Sequence, residues 1–186
     1  MAKRRRTGDQ LTGGTGDVSP QLLSGLVLQT AADTTTTATI ALPVNRIPGS
    51  DKDVTIIELL KIWCDFPQLI GTAVGEVGYN LGVFFTTTSF GTTATTFNDP
   101  AVLALIQIQK RGAFTAAGTY FYRELGVESV DLTDGAGHGI LVATDNMFAQ
   151  CTSSSTGAAN TVSFKLLYRF KRVSLVEYIG IVQSQQ

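Results

Sequence analysis

Val162-Ser163-Phe164-Lys165-Leu166-Leu167-Tyr168-Arg169-Phe170-Lys171-Arg172 is the stretch whose reading decides the fold. Its even positions through Phe170 are Val, Phe, Leu, Tyr and Phe; its odd positions are Ser, Lys, Leu, Arg and Lys. Side chains alternate between the two faces of a β-strand, so this pattern predicts one buried aromatic face and one basic solvent face. No helical period sorts these residues as cleanly. The neighbouring segments follow the same logic. Leu22–Thr30, Thr35–Leu42, Val77–Phe90, Val102–Lys110, Thr119–Leu125, Val127–Leu132 and Ile140–Phe148 are short and rich in β-branched or aromatic residues, with turn chemistry between them. Val54–Phe66 is the longest apolar segment. Its even positions, Val54, Ile56, Glu58, Leu60, Ile62, Cys64 and Phe66, read as one strand face. A helical stripe (Ile56, Ile57, Leu60, Trp63, Cys64) fits nearly as well, but β-branched content and the Pro67 stop favour a strand.

Loops are expected at Val44–Asp53, Thr92–Pro100, Thr133–Gly139 and Cys151–Asn160. Leu175–Val182 reads as a final strand, too apolar on both faces to be left exposed. Nine or ten short strands without a long amphipathic helix predict an all-β domain. A single jelly-roll sandwich of two four-stranded antiparallel sheets is the expected architecture. An immunoglobulin-like sandwich fits less well, because the Cys pair and the Trp are not placed for it.

The chain has 186 residues, enough for one domain with a substantial core. Hydrophobic residues make up 44% and charged residues 16%, which argues against general disorder. The polar complement is largely Thr, with 25 copies. Residues 1–20 are Gly-rich and nearly without large aliphatics, so they are expected to form a flexible arm ahead of a domain spanning 21–186. No apolar run is long enough for a membrane span, and the basic start is not followed by the apolar segment of a signal peptide. Cys64 and Cys151 are the only cysteines and are expected to be free and buried, as in a reducing compartment. The absence of an Asn-x-Ser/Thr sequon agrees with intracellular synthesis.

Catalytic chemistry has little to work with. His138 is the single histidine, in Gly137-His138-Gly139, and no Gly-x-Ser-x-Gly elbow supplies a nucleophile. One histidine does not make a cupin-type metal site. Gly13-Gly14-Thr15-Gly16 lacks the Lys-Ser/Thr and the preceding strand of a phosphate loop. Asp131, Asp134 and Asp145 match no calcium-loop spacing and read as solvated loop carboxylates. The chain is therefore expected to be no enzyme, with no cofactor and no metal site of its own.

Two basic features remain. Lys3, Arg4, Arg5 and Arg6 open a chain whose other 180 residues balance to −5, a mildly acidic body with a short cationic arm. The second is the strand face of Lys165, Arg169 and Lys171, with Arg172 adjacent. These residues form a row about 20 Å long that could track a phosphate backbone or, alternatively, sit solvated or paired with Glu124, Glu128 or Glu177. Trp63 lies in an apolar neighbourhood and is expected in the core.

The run Leu166-Leu167-Tyr168-Arg169-Phe170-Lys171-Arg172-Val173-Ser174-Leu175-Val176-Glu177-Tyr178-Ile179-Gly180-Ile181-Val182-Gln183-Ser184-Gln185 resembles the C-terminal signature of capsid (coat) proteins from small circular single-stranded DNA viruses that encode a Rep protein. Ile140–Phe148 and the Met-Ala-Lys-Arg-Arg-Arg start are similar to that group as well. The close resemblance covers about the last 50 residues. It implies a jelly-roll coat protein that self-assembles into an icosahedral shell of about 60 or more copies around circular single-stranded DNA. It also implies a virion location and passage through the host nucleus, with Lys3–Arg6 contacting genome, import receptor or both. The arm here is shorter than in many relatives. Four arm charges in each of about 60 copies would neutralise only about 240 phosphates, fewer than the coding length of this chain alone. Two other readings are left open by the residues: a non-viral β-sandwich binding module for a carbohydrate or a receptor, and a jelly-roll enzyme, which the solitary histidine disfavours.

Overall fold

The computed structural model describes residues 19–44, 53–68, 75–114 and 127–185. They form nine strands and one helix: β1 Gln21–Leu28, β2 Thr35–Ala41, β3 Asp53–Asp65, β4 Gly75–Thr86, β5 Val102–Phe114, β6 Val127–Asp131, β7 Ile140–Val142, β8 Asn146–Ser154, β9 Thr161–Ser174 and α1 Leu175–Ser184. One sheet, here sheet A, has the order β1-β9-β3-β6, with β7 also pairing β3; sheet B has the order β2-β8-β4-β5. Every pairing is antiparallel. β1 to β4 alternate between the sheets, β5 pairs with β4 within sheet B, β6 and β7 both lie in sheet A, β8 lies in sheet B, and the last strand returns between β1 and β3. This is the double Greek key of a jelly roll, as the strand rhythm predicted. The expected fourth strand of sheet A is split. β6 pairs with Lys61–Asp65 and β7 with Ile57–Leu59 of the same β3 edge, and residues 132–139 leave the ladder between them.

The deciding stretch behaves as its alternation requires. Val162, Phe164, Leu166 and Tyr168 are buried in the sandwich, whereas Ser163 and Lys165 are exposed. Sheet B answers with Leu81, Val83 and Phe85 of β4 and Met147, Ala149 and Cys151 of β8. Phe85 and Phe164 meet edge to face across the layers, with ring centroids 5.4 Å apart. Gly25 of β1 stands opposite Phe164, and a Cβ there would lie 2.4 Å from the ring's Cζ. Absence of a side chain at Gly25 admits the ring. Cys64 and Cys151 come from opposite sheets, and both are buried and free. Burial pushes each thiol up to about 12, with Cys151 adding to the effect at Cys64.

Four expectations need correction. The even positions of Val54–Phe66 do not share one face. The register slips between Leu59 and Lys61, leaving Leu60 as the extra residue of a β-bulge. Before it, Ile57 and Leu59 point into the core; after it, Ile62 and Cys64 do. Ile56 and Glu58 therefore lie on the outer face. Second, Leu175–Val182 is helix, not strand. Ser174 caps it by accepting a hydrogen bond from the Glu177 amide at 3.2 Å, a Ser-x-x-Glu capping arrangement. Its Tyr178, Ile181 and Val182 cover Ile56, Ala143 and Val173 on the outside of sheet A. Third, Ile140–Phe148 is not one strand. It breaks at residues 143–145, where the chain crosses from sheet A to sheet B. Fourth, the loop expected over Cys151–Asn160 begins only after Ser154. Thr152–Ser154 extend β8, and Thr35 and Thr152 meet through their hydroxyls at 3.2 Å. Thr119–Leu125 and most of Val44–Asp53 lie outside the described residues.

Polar side chains tie the loops down. Gln150, fully buried on β8, accepts from the Thr95 amide at 3.0 Å and donates to the Thr93 carbonyl at 2.8 Å, holding the Thr92–Thr96 segment on sheet B. Gln185 does the same after α1. Its side chain accepts from the Ala143 amide (3.1 Å) and donates to the Leu141 carbonyl (2.5 Å), and its own carbonyl accepts from Thr87 (2.9 Å). The side-chain amide thus stands in for a strand neighbour at β7.

Candidate nucleic-acid interface

Lys3, Arg4, Arg5 and Arg6 lie outside the described residues. The strand-face cations do not form a uniform row. Arg169 faces Glu58 in register, and its Nε donates to Glu58 Oε2 at 2.5 Å. Lys171 Nζ stands 3.6 Å from Glu58 Oε1. The acidic partner is thus Glu58, one of the even positions of Val54–Phe66, and not Glu124, Glu128 or Glu177 as the sequence suggests. Glu58 is fully buried because residues 132–139 fold over it. The amide of Gly139 donates to Oε1 at 3.0 Å, His138 Nδ1 stands 3.8 Å from the same oxygen, and Arg169 Nη2 donates to the Gly137 carbonyl at 3.3 Å. Only glycine fits at 139, since a Cβ there would lie 2.2 Å from the Leu59 carbonyl oxygen. Burial by itself pushes the Glu58 carboxyl up. The Arg169 and Gly139 hydrogen bonds and the charges of Lys171 and Arg169 outweigh it, so the carboxyl sits below its ordinary value.

His138 is exposed. Asp131 and Asp134 serve their own turns: Asp131 accepts from the Thr133 hydroxyl and amide, and Asp134 from the amides of Ala136 and His138. Those bonds, led by the Thr133 hydroxyl for Asp131 and the His138 amide for Asp134, lower both carboxyls. Among the described residues no three His, Cys, Asp or Glu side chains gather as a metal site would require.

Beyond the bulge the outer face of sheet A is open among the described residues. The registers align Leu22, Leu167 and Lys61 in one row, Ser24, Lys165 and Trp63 in the next, and Ser163 and Asp65 with Val127 in a third. Trp63 is half-buried on this outer face rather than in the core, because the extra residue at the bulge turns odd positions outward. Leu22, Leu26, Leu28 and Val127 are each more than half exposed. Lys165 is exposed beside Trp63, and Lys61 Nζ stands 5.5 Å from the Trp63 ring centroid. A cleft of about 730 Å³ opens here, lined by Trp63, Asp65, Lys165, Ser24 and their neighbours. Sequence reasoning found Lys165 from its alternation but missed Trp63, because a bulge leaves no mark in residue periodicity.

No protein-family model matches the chain, and no relative was found among curated proteins by sequence. Among solved structures the chain is similar to VP1 capsid proteins of polyomaviruses. VP1 of New Jersey polyomavirus shares 9% identity, with 84% of this chain and 100% of that chain covered and a TM-score of 0.49. VP1 of Merkel cell polyomavirus in complex with disialyllactose shares 11%, covering 87% and 98%, with a TM-score of 0.47. The same virus's VP1 as an unassembled pentamer shares 10%, covering 86% and 98%, with a TM-score of 0.46.

Proposed function

We propose that this chain is the coat protein of a small circular, Rep-encoding single-stranded DNA virus, a subunit that assembles with its own copies into an icosahedral shell around the genome. The observation that carries the reading is apolar surface left uncovered on a charge-poor jelly roll. Leu22, Leu26 and Leu28 line up on the outer side of β1, an edge strand, and Leu175, Val176 and Ile179 project from α1. An apolar edge strand is a template for association, and low-charge surface packs against a neighbour without stripping water from ions. The resemblance of residues 166–185 and 140–148 supplies the kind of virus.

In this reading Lys3–Arg6 meet the genome, the host's nuclear import receptor or both. Lys165 is a genome contact. Arg169 and Lys171 contribute only the single positive charge left after Glu58, so the protein's cationic supply is modest and small cations balance much of the DNA. Size-exclusion chromatography and negative-stain microscopy of the purified chain test assembly: particles of about 20 nm are expected, and a stable monomer across salt and Ca²⁺ conditions would overturn the reading. Nuclease-protected circular single-stranded DNA extracted from particles made in cells tests the genome type. Deleting residues 1–6 should lower DNA content or nuclear entry without unfolding the domain; unchanged loading and entry would remove the arm's role.

The half-buried position of Trp63 on the outer face of sheet A favours one other reading, a glycan-binding module, since aromatic platforms also stack on sugars. That reading expects a monomer or small oligomer in the same chromatography.

A further inference from the structure

Both edge strands on one side of the sandwich lack the devices that keep sheet edges apart. We propose that β1 is a self-pairing edge: it joins antiparallel to β1 of a second copy, about a two-fold axis at Gly25, so that sheet A runs on from one subunit into the next. The proposal rests on the coat-protein reading and adds to it the contact about the two-fold axes of the shell, which must be self-complementary.

Charge separates the two sides of the sandwich. β1 ends sheet A, β2 ends sheet B, and the two are neighbours across the layers. Neither Gln21–Leu28 nor Thr35–Ala41 contains a charged residue or a proline. Across residues 19–44 the only charged residue is Asp33, and its carboxylate accepts from the Thr156 amide (2.7 Å) and hydroxyl (3.0 Å). The opposite edges are guarded: β6 carries Glu128 and Asp131, and the sequence of β5 carries Lys110 and Arg111. Natural sheets blunt a free edge with charge, proline or a bulge, because its bare N–H and C=O groups accept any strand. β1 has none of these. It pairs with β9 in unbroken register over its whole length, about 26 Å, and its other side is open among the described residues. An extended backbone is the occupant that satisfies such a row of groups.

Register selects a second copy of β1 as that backbone. Facing residues of an antiparallel pair share a sheet face, so a two-fold pairing must centre on a residue. Centred on Gly25, it sets Leu22 against Leu28, Leu23 against Val27 and Ser24 against Leu26 of the second copy. Every outward leucine of β1 then meets the partner strand, and no charge is stripped of water. Centring on Ser24 instead would set Leu28 against Pro20, which has no N–H to donate. Area agrees with a stable contact. Leu22, Leu26 and Leu28 are 57–59% exposed in the subunit, which leaves roughly 100 Å² bare on each. Six such leucines bury roughly 600 Å², about half of what a specific interface needs, before the strand backbones and the flanking β2 edges are added.

Sedimentation equilibrium of the full chain, below the concentration at which particles form, should show monomer in equilibrium with dimer. Leu26→Lys brings a cation into each half of the pairing and should raise the dimer dissociation constant at least about tenfold. Val127→Lys, the same change on the opposite edge of sheet A, should leave it within about twofold. Cysteines read the register, since Cys64 and Cys151 are buried. Under mild copper-phenanthroline oxidation, Ser24→Cys mixed with Leu26→Cys should cross-link faster than either variant alone. This pair introduces no charge, so a Leu26→Lys chain that failed to fold would leave the test standing. A chain monomeric up to the onset of particles, a dimer indifferent to Leu26→Lys, or a Ser24→Cys variant that links to itself ahead of the mixture would overturn the proposal. Microscopy separates the two levels. Shells built without the dimer sink the β1 pairing and spare the coat-protein reading; a dimer that never yields shells spares the pairing and sinks that reading.

Discussion

Strands β3 and β9 run side by side along sheet A, yet the outer face they share divides into two unlike halves. Below the bulge at Leu60 the face is sealed: Ile56 and Val173 lie under α1, and Glu58 lies under residues 132–139 with Arg169 and Lys171 drawn to it. Above it the face is open among the described residues, with Trp63 half-buried and Lys165, Leu22, Leu26 and Leu28 exposed. One inserted residue separates the halves. It turns even positions inward and odd positions outward, and the β6–β7 excursion leaves the ladder at the same level, where the Leu132 amide donates to the Leu60 carbonyl at 2.9 Å. A bulge can thus divide one sheet face into a sealed half that holds the fold and an open half.

The sharpest way to break this contrast is at Glu58. Glu58→Ala should destabilise the unassembled subunit by about 3 kcal/mol in urea melts, since two cations lose their buried counterion. A change below about 0.5 kcal/mol would mean that the sealed half is not structural. The same carboxyl sets a pH dependence. Its value in the folded chain lies below the ordinary 4.5, so its contribution is complete above that pH and is lost as pH falls through the folded value. The difference in melting temperature between the native chain and Glu58→Gln should hold steady at neutral pH and narrow below pH 4.5. Gly139→Ala, which drives a Cβ onto the Leu59 carbonyl, should cost about 2 kcal/mol and loosen the cover over Glu58, read by amide exchange at residues 137–139. Gln185→Ala should cost about 1 kcal/mol and speed exchange at the Ala143 amide, which loses its acceptor. On the open half, Leu26→Ser should change subunit stability by less than about 0.5 kcal/mol and, under the proposed coat-protein function, raise the concentration at which light scattering detects particles.

The contrast also marks what residue order reveals. Alternation over 162–172 was enough for β9, and the spacing of turns was enough for a jelly roll, because a face buried on one side must repeat every second residue. The bulge was invisible, since Leu60 is as apolar as its neighbours and only the partner strand registers the slip. From that one miss followed two others: Glu58 stayed an anomaly on an apolar face, and Trp63 was assigned to the core. The helix was legible in principle. Ser174-Leu175-Val176-Glu177 opens with a capping pair, and Tyr178, Ile181 and Val182 follow at helical spacing, but uniform apolarity masked both. The crossing at residues 143–145 carries no Gly or Pro to announce it.

Cys64 and Cys151 give the sandwich a property that the proposed assembly does not use. With their thiols pushed up to about 12, both stay protonated at neutral pH and are shielded inside the core, so an alkylating reagent modifies them only after the two layers have parted. Sulfur labelling therefore times the separation of the layers, and in the proposed particles the ratio of that rate in free subunits to that in the particle would measure how far neighbouring copies clamp each sandwich shut.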